Sequence, residues 1–185
     1  MSQPPEFSPE QRQALLRIAH ESILSAFAER AMPQAPLFPC LSELRGAFTT
    51  LHLHGNLRGC VGYATPVVPL YKAVAETARA AAFDDSRFNP VTKQEIAELR
   101  ISLSVLSRLF PVRPEEVTVG RHGLVISLGS NRGLLLPQVP VECGWDRETF
   151  LVQTCRKAGL PFDAWSNGAS LEAFTAETFS DTSLL

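Results

Sequence analysis

The sequence lacks the features that define several large classes of protein. No uninterrupted apolar run approaches the roughly 18 residues that a membrane-spanning helix needs. The segment from Met1 to Phe7 is polar and rich in proline, without the basic start and apolar stretch of a signal peptide. We therefore expect a soluble, cytoplasmic protein with no membrane partner.

The sequence also has no excess of basic charge. Its 185 residues include 17 Lys and Arg against 19 Asp and Glu, which gives a net charge of −2. A broad nucleic-acid surface usually needs a basic face. Phosphate-binding glycine loops and the H-E-x-x-H zinc motif are absent as well. We therefore expect neither a nucleic-acid partner nor a nucleotide cofactor.

Paired cysteines are the third absence. The four cysteines, Cys40, Cys60, Cys143 and Cys155, are widely spaced, and none forms a C-x-x-C pair. This spacing does not favour a metal site, and in a reducing compartment the thiols stay free. The sequence therefore predicts no metal and no cofactor.

One stretch indicates a β-hairpin. Residues Ala47 to His54 alternate between apolar and polar, Gly55-Asn56 is a turn signal, and a second apolar run follows. The pattern predicts strands at about 46–54 and 56–63.

The return strand of this hairpin carries the strongest candidate for chemistry. Cys60 lies between Gly59 and Gly62, and small residues let another molecule approach the backbone closely. Arg58 is two residues from Cys60, so on a regular strand both side chains share one face. A fixed positive charge favours thiolate over thiol. We therefore predict that Cys60 is an accessible, acidic catalytic thiol and that Arg58, Gly59 and Gly62 bind its ligand.

The turn decides whether a histidine can act as the base for this thiol. A two-residue turn places Cys60 opposite Leu51 or Thr49, and both His52 and His54 then lie on the other face. A three-residue loop reverses this parity and brings the histidines to the face of Cys60. The two-residue turn is the favoured alternative, so no Cys–His dyad is assigned.

The rest of the chain alternates between helices and short strands. Apolar spacing and capping signals predict helices at about 9–30, 70–83, 92–98 and 147–158. The capping signals are Ser8 with Gln11, Thr92 with Glu95, and Asp146 as an N-cap. Alternating patterns predict strands at about 101–106, 117–119, 124–128, 133–136 and 170–180. This order predicts an α+β fold with a mixed or antiparallel sheet flanked by helices.

Five motifs resemble one known family. They are Leu57–Gly62, Asp85–Phe88, Leu135–Val139, Gly144–Asp146 and Cys155–Leu160. In this order, over roughly residues 12 to 180, they resemble the AMMECR domain family, whose prokaryotic members are called protein A of the AmmeMemoRadiSam system. The resemblance implies one domain over residues 1–185, built from two subdomains with a cleft between them. It also implies a modification pathway shared with Memo-like and radical SAM proteins.

The resemblance and the strand ends add five candidate site residues. Asp85 and Arg87 match a family motif, and they either bind a ligand or brace their own turn. His122 occupies a turn that the family also contains. Gln138 and Glu142 follow a strand end at Pro137; Gln138 is a binding candidate, and Glu142 is a second catalytic candidate as an acid or base.

Two functions are compatible with these residues. In the first, a cleft centred on Cys60 and Arg58 makes the protein an accessory enzyme or carrier for a small substrate or modified residue. In the second, the hairpin is the recognition surface of a non-catalytic protein-interaction module. Under the second hypothesis, Cys60→Ser leaves partner binding intact, whereas Arg58→Ala weakens it.

Overall fold

A computed structural model describes residues 5–28 and 38–181. The chain divides into two compact units, one formed by Met1–Leu106 with Glu177–Leu185 and the other by Ser107–Ala176. Each unit contains a four-stranded antiparallel sheet with helices, so the predicted α+β class is confirmed. The cleft expected between two subdomains stays a prediction.

The first unit is a sheet with the strand order β2-β1-β3-β8. Its elements are α1 (Pro9–Ala28), β1 (Ala47–Leu53), β2 (Asn56–Tyr63), α2 (Leu70–Phe83), β3 (Leu99–Leu106) and β8 (Ala176–Ser180), with 3-10 turns at Pro39–Ser42 and Glu95–Glu98. Alternate residues of β1 and β3 are buried, and the residues between them are partly or fully exposed. One face of the sheet is therefore its core face, and the other is called the outer face below.

The core face is covered by the alanine-rich helix α2. The hydroxyl groups of Thr49 and Thr77 lie 2.8 Å apart between sheet and helix. Ser22 of α1 donates a 2.6 Å hydrogen bond to the carbonyl oxygen of Ala75. Small side chains allow these backbones to approach closely, and each buried hydroxyl group finds a partner.

The second unit is built on the strand order β4-β7-β5-β6. Its elements are β4 (Phe110–Pro111), β5 (Gly123–Leu128), β6 (Asn131–Leu135), α3 (Gln138–Glu142), α4 (Arg147–Lys157) and β7 (Ser170–Phe174), with 3-10 turns at Pro114–Glu116 and Ala164–Ser166. The Asp146 carboxylate caps α4 by accepting a 2.8 Å bond from the Thr149 N–H group, as its position predicts. Phe150 and Cys155 bury the inner side of α4.

Several predicted boundaries are wrong. Residues 117–119 do not form a strand, because the Thr118 carbonyl accepts from the N–H groups of Arg121 and His122 and closes a turn. The expected strand at 170–180 is two strands, β7 and β8, which belong to different sheets. The predicted last residues of the first helix, 29 and 30, lie outside the described residues. Within the described ranges, no helix has the length and apolar character that a bilayer crossing requires.

Candidate functional site

The hairpin turn consists of His54 and Gly55. Leu53 pairs with Asn56, and the two turn residues have φ angles of 51° and 81°. Positive φ at both central positions is the type I′ geometry whose twist matches that of the flanking strands. The favoured two-residue turn is thus confirmed.

A β-bulge changes the pairing beyond this turn. His52 pairs with Leu57 but Leu51 pairs with Gly59, so Arg58 is an extra residue in β2. Cys60 consequently pairs with Thr50, which matches neither pairing expected for a two-residue turn. Since His52 is two residues from Thr50 on β1, the bulge returns this histidine to the face of Cys60.

The Arg58 side chain binds another segment rather than the Cys60 sulfur, contrary to the shared face predicted for the two side chains, and a role of Arg58 in ligand binding stays a prediction. Its Nε donates to Glu95 Oε1 at 2.8 Å, and its terminal nitrogens donate to the carbonyl oxygens of Asn89 and Pro90 at 2.8 and 3.3 Å. The side chain is 14% exposed. The bulge interrupts the regular alternation that would place Arg58 and Cys60 on one face, and the carboxylate that binds Arg58 is that of Glu95.

Asp85 and Arg87 instead bind the main chain of Cys60. β2 is an edge strand, so the N–H and C=O groups of Cys60 that point away from β1 need partners. Asp85 Oδ2 accepts from the Cys60 N–H group at 2.9 Å, and Arg87 Nη2 donates to the Cys60 carbonyl oxygen at 3.2 Å. The segment that supplies these groups, residues 84–90, is called the edge loop below.

The two edge-loop side chains form their own ion pair. Arg87 donates from Nε to Asp85 Oδ1 at 2.9 Å and from Nη2 to Oδ2 at 2.7 Å. The guanidinium and the Cys60 N–H group hold the pKa of the Asp85 carboxyl well below its usual range, and the carboxylate raises the pKa of Arg87. The Asp85 side chain is 6% exposed, whereas that of Arg87 is 55% exposed. The edge loop therefore braces Cys60 and also presents a charged group to solvent.

The thiol of Cys60 points to the outer face of the sheet. It is half-buried, and its sulfur lies 3.3 Å from the Thr50 hydroxyl oxygen. Cys60 is not among the residues of the apolar core or those packed against it, unlike its neighbour Val61. The arrangement presents a thiol beside a hydroxyl group, from a backbone that is fixed on both sides.

Packing accounts for both glycines of the motif. A Cβ atom built on Gly59 would lie 2.0 Å from the Ala81 carbonyl oxygen, and one built on Gly62 would lie 2.1 Å from the Phe48 ring. The close approach expected at these positions is therefore made by α2 and by an aromatic side chain. A role of either glycine in ligand binding stays a prediction.

Three candidates lie in the second unit. His122 is buried and accepts the Thr118 N–H group at Nδ1, 3.2 Å away, and burial lowers its pKa. Gln138 and Glu142 are exposed at the two ends of α3. His122 thus stabilises its turn in neutral form, and the functional roles of all three residues stay predictions.

The other cysteines provide internal references for Cys60. Cys155 is fully buried in α4, and burial raises the pKa of its thiol. Cys143 is exposed after α3, and Cys40 is half-buried with its sulfur 3.2 Å from Gln11 Nε2. Among the described residues, no group of three or more His, Cys, Asp or Glu side chains could hold a metal ion.

Comparison with known proteins gives one consistent result. The AMMECR1 family model matches residues 16–179. A protein of Thermococcus onnurineus is 45% identical over 155 residues, covering 77% of this chain and 76% of that protein. Protein TK0174 of Thermococcus kodakarensis is 47% identical over 153 residues, covering 76% and 75%.

A solved structure shares the fold. The crystal structure of the uncharacterized protein PH0010 from Pyrococcus horikoshii superposes with a TM-score of 0.67 at 42% identity. The superposition covers 90% of this chain and 89% of that one.

Proposed function

The chain belongs to the AMMECR1 domain family, and we propose that it works through Cys60, as an accessory enzyme or carrier that holds a small substrate or modified residue. One observation carries this proposal. The edge loop binds both outward-facing main-chain groups of Cys60, while the residue is half-buried and its sulfur lies beside the Thr50 hydroxyl group. A reactive group needs such support from a rigid backbone.

The edge loop binds only the main chain of Cys60, so the sulfur is left available to react. A carrier thiol accepts a group from an electrophilic donor such as an acyl thioester. The new S–C bond forms as the bond between the acyl carbon and its leaving group breaks, and the leaving thiol takes the proton that Cys60 loses. No oxidant or metal is needed for this exchange.

The proposal predicts a specific covalent product. When the Cys143→Ser protein is incubated with a small acyl thioester, we expect one acyl group on Cys60, located by peptide mass spectrometry. Cys60→Ser in the same background removes this product, whereas Cys40→Ser, which changes another half-buried cysteine, retains it. Acylation that is equal in the presence and absence of Cys60 contradicts the proposal.

We propose Memo-like and radical SAM proteins as the partners of this step. They come from the family resemblance, and purified components give a direct test. Binding of either partner class to this chain, measured by calorimetry, supports the pathway assignment. Absence of binding to both contradicts it without affecting the acylation result.

The second candidate function is a non-catalytic interaction module. It is favoured by Leu57, an apolar side chain at the hairpin end that is 42% exposed. Leu57→Ser should then weaken partner binding, whereas Cys60→Ser should leave it intact. This test changes Leu57 rather than Arg58, because the Arg58 side chain is bound to the segment from Asn89 to Glu95 and its loss would also affect the fold.

A further inference from the structure

The side chain of Thr50 contacts the Cys60 sulfur, and the proposed function gives this contact no part in the reaction. The hydroxyl oxygen lies 3.3 Å from the sulfur. We infer that Thr50 is a catalytic residue, which stabilises the oxyanion formed when Cys60 attacks a carbonyl carbon, and that the substrates of this site are therefore acyl donors. This inference rests on the proposed function, because it names the substrate class of the same site.

The main chain of Cys60 does not supply the donor that such an oxyanion needs. In acyl transfer, the N–H group of the nucleophilic residue often binds the oxyanion. Here the Cys60 N–H group donates to Asp85 Oδ2 at 2.9 Å, and it points off the edge of the sheet rather than to its outer face. The donor is therefore expected from a side chain on the same face as the sulfur.

Thr50 meets this condition. It pairs with Cys60 across β1 and β2, so both side chains leave the outer face of the sheet. An acyl oxygen is two covalent bonds from the sulfur that carries the acyl carbon. It can therefore lie about 2.7–3.1 Å from a hydroxyl group that is itself 3.3 Å from that sulfur, which is the range for oxyanion donors. Thr50 also pairs with Ser102 of β3, so the hydroxyl group projects from an interior strand with a fixed backbone.

The hydrogen bond from Thr50 can follow the negative charge during the reaction. When Cys60 is a thiolate, only the hydroxyl group can donate in their contact. As the S–C bond forms, the electron pair of the carbonyl π bond moves to oxygen, and the hydroxyl group then donates to this oxygen. The oxyanion collapses, the bond to the leaving group breaks, and the leaving thiol takes the proton that Cys60 lost. Thr50 keeps its own proton throughout, so protons and charge balance.

The test compares two reactions of Cys60 in the Cys143→Ser protein at one pH. Acylation by a small acyl thioester develops an oxyanion, whereas alkylation by iodoacetamide does not: the S–C bond forms, the C–I bond breaks and iodide leaves. A change in the amount of thiolate alters both rates by the same factor, so the ratio of the acylation rate to the alkylation rate reports oxyanion stabilisation. We expect Thr50→Val to lower this ratio roughly hundredfold, as the loss of one oxyanion donor does. Thr50→Ser keeps the hydroxyl group and should retain the ratio.

Ser102→Ala is the matched control. Ser102 lies on the other side of β1 from Cys60, so its hydroxyl group is one strand further from the sulfur, and its loss should leave the ratio unchanged. An unchanged ratio in Thr50→Val, or an equal loss in Ser102→Ala, overturns the inference, while an acyl group found on Cys60 still supports the proposed function.

A change of substrate keeps the test independent of how Thr50→Val folds. In a dithioester, sulfur replaces the carbonyl oxygen and accepts hydrogen bonds only weakly. Its rate relative to that of the thioester should be lower at Cys60 than at the thiol of N-acetylcysteine, and equal relative rates overturn the inference. A Cys60 that is alkylated but never acylated overturns the proposed function and the inference together.

Discussion

Replacing Gly59 with alanine should be the most destabilising single-methyl change in the hairpin, costing about 3 kcal/mol of unfolding free energy. The added Cβ atom would lie 2.0 Å from the Ala81 carbonyl oxygen, which belongs to a helix backbone and cannot rotate away. α2 would have to move off the sheet, and its buried alanines would lose contacts. Chemical denaturation of the folded protein measures the effect.

Gly62→Ala is the matched control for this prediction. Its Cβ atom would meet the Phe48 ring, a half-buried side chain that can turn aside. We expect a cost of about 1 kcal/mol, since only one side chain has to adjust. Equal losses of unfolding free energy in the two variants would contradict the explanation that position 59 is glycine because α2 packs against its backbone.

The second large effect concerns the ion pair of Arg58 and Glu95. Arg58→Ala should cost about 2 kcal/mol at neutral pH, because it removes charge-assisted bonds to a carboxylate and to two carbonyl oxygens. The guanidinium, together with the Thr92 main chain, lowers the pKa of Glu95 to about 2. A carboxyl whose pKa is lowered by folding stabilises the protein above its unfolded pKa, and this contribution is lost as the pH falls.

Stability measured against pH tests this prediction. The wild-type protein should lose stability between about pH 5 and 2, and Glu95→Gln should flatten that part of the curve. Glu116→Gln is the control, because Glu116 forms a similar pair with Arg113 at a much more exposed position and should leave the curve of stability against pH close to that of the wild type. If the stability of Glu95→Gln depends on pH in the same way as that of the wild type, the ion pair of Arg58 and Glu95 does not stabilise the folded protein.

The sequence predicted the local structure well where local signals decide it. α2 spans the predicted residues, and the hairpin has the predicted strands, because alternation, the turn glycine and the alanine-rich stripe act over a few residues. Ser8 and Gln11 form the predicted capping box at the start of α1. The strand predicted at 117–119 failed because a turn closed by Thr118 satisfies its main chain instead.

The candidate site was less predictable because the bulge depends on distant residues. Nothing in the sequence around Arg58 indicates an extra residue, and the groups that bind its side chain in the bulge lie more than 30 positions further along the chain. The sequence placed Arg58 beside the sulfur, whereas Arg87 is the cation that contacts Cys60. One signal was present in part: of the capping box predicted for Thr92 and Glu95, the bond from the Thr92 N–H group to the Glu95 carboxylate is formed, and the same carboxylate binds Arg58.

We expect the folded protein to present the Cys60 thiol to small molecules from a fixed backbone. Time-resolved alkylation of the native wild-type chain, followed at each cysteine by peptide mass spectrometry, tests this claim most directly. We predict that Cys60 is modified while the protein is folded and that Cys155, which is fully buried, is modified only on unfolding. Modification of Cys60 and Cys155 at one common rate, the rate of unfolding, would contradict the claim.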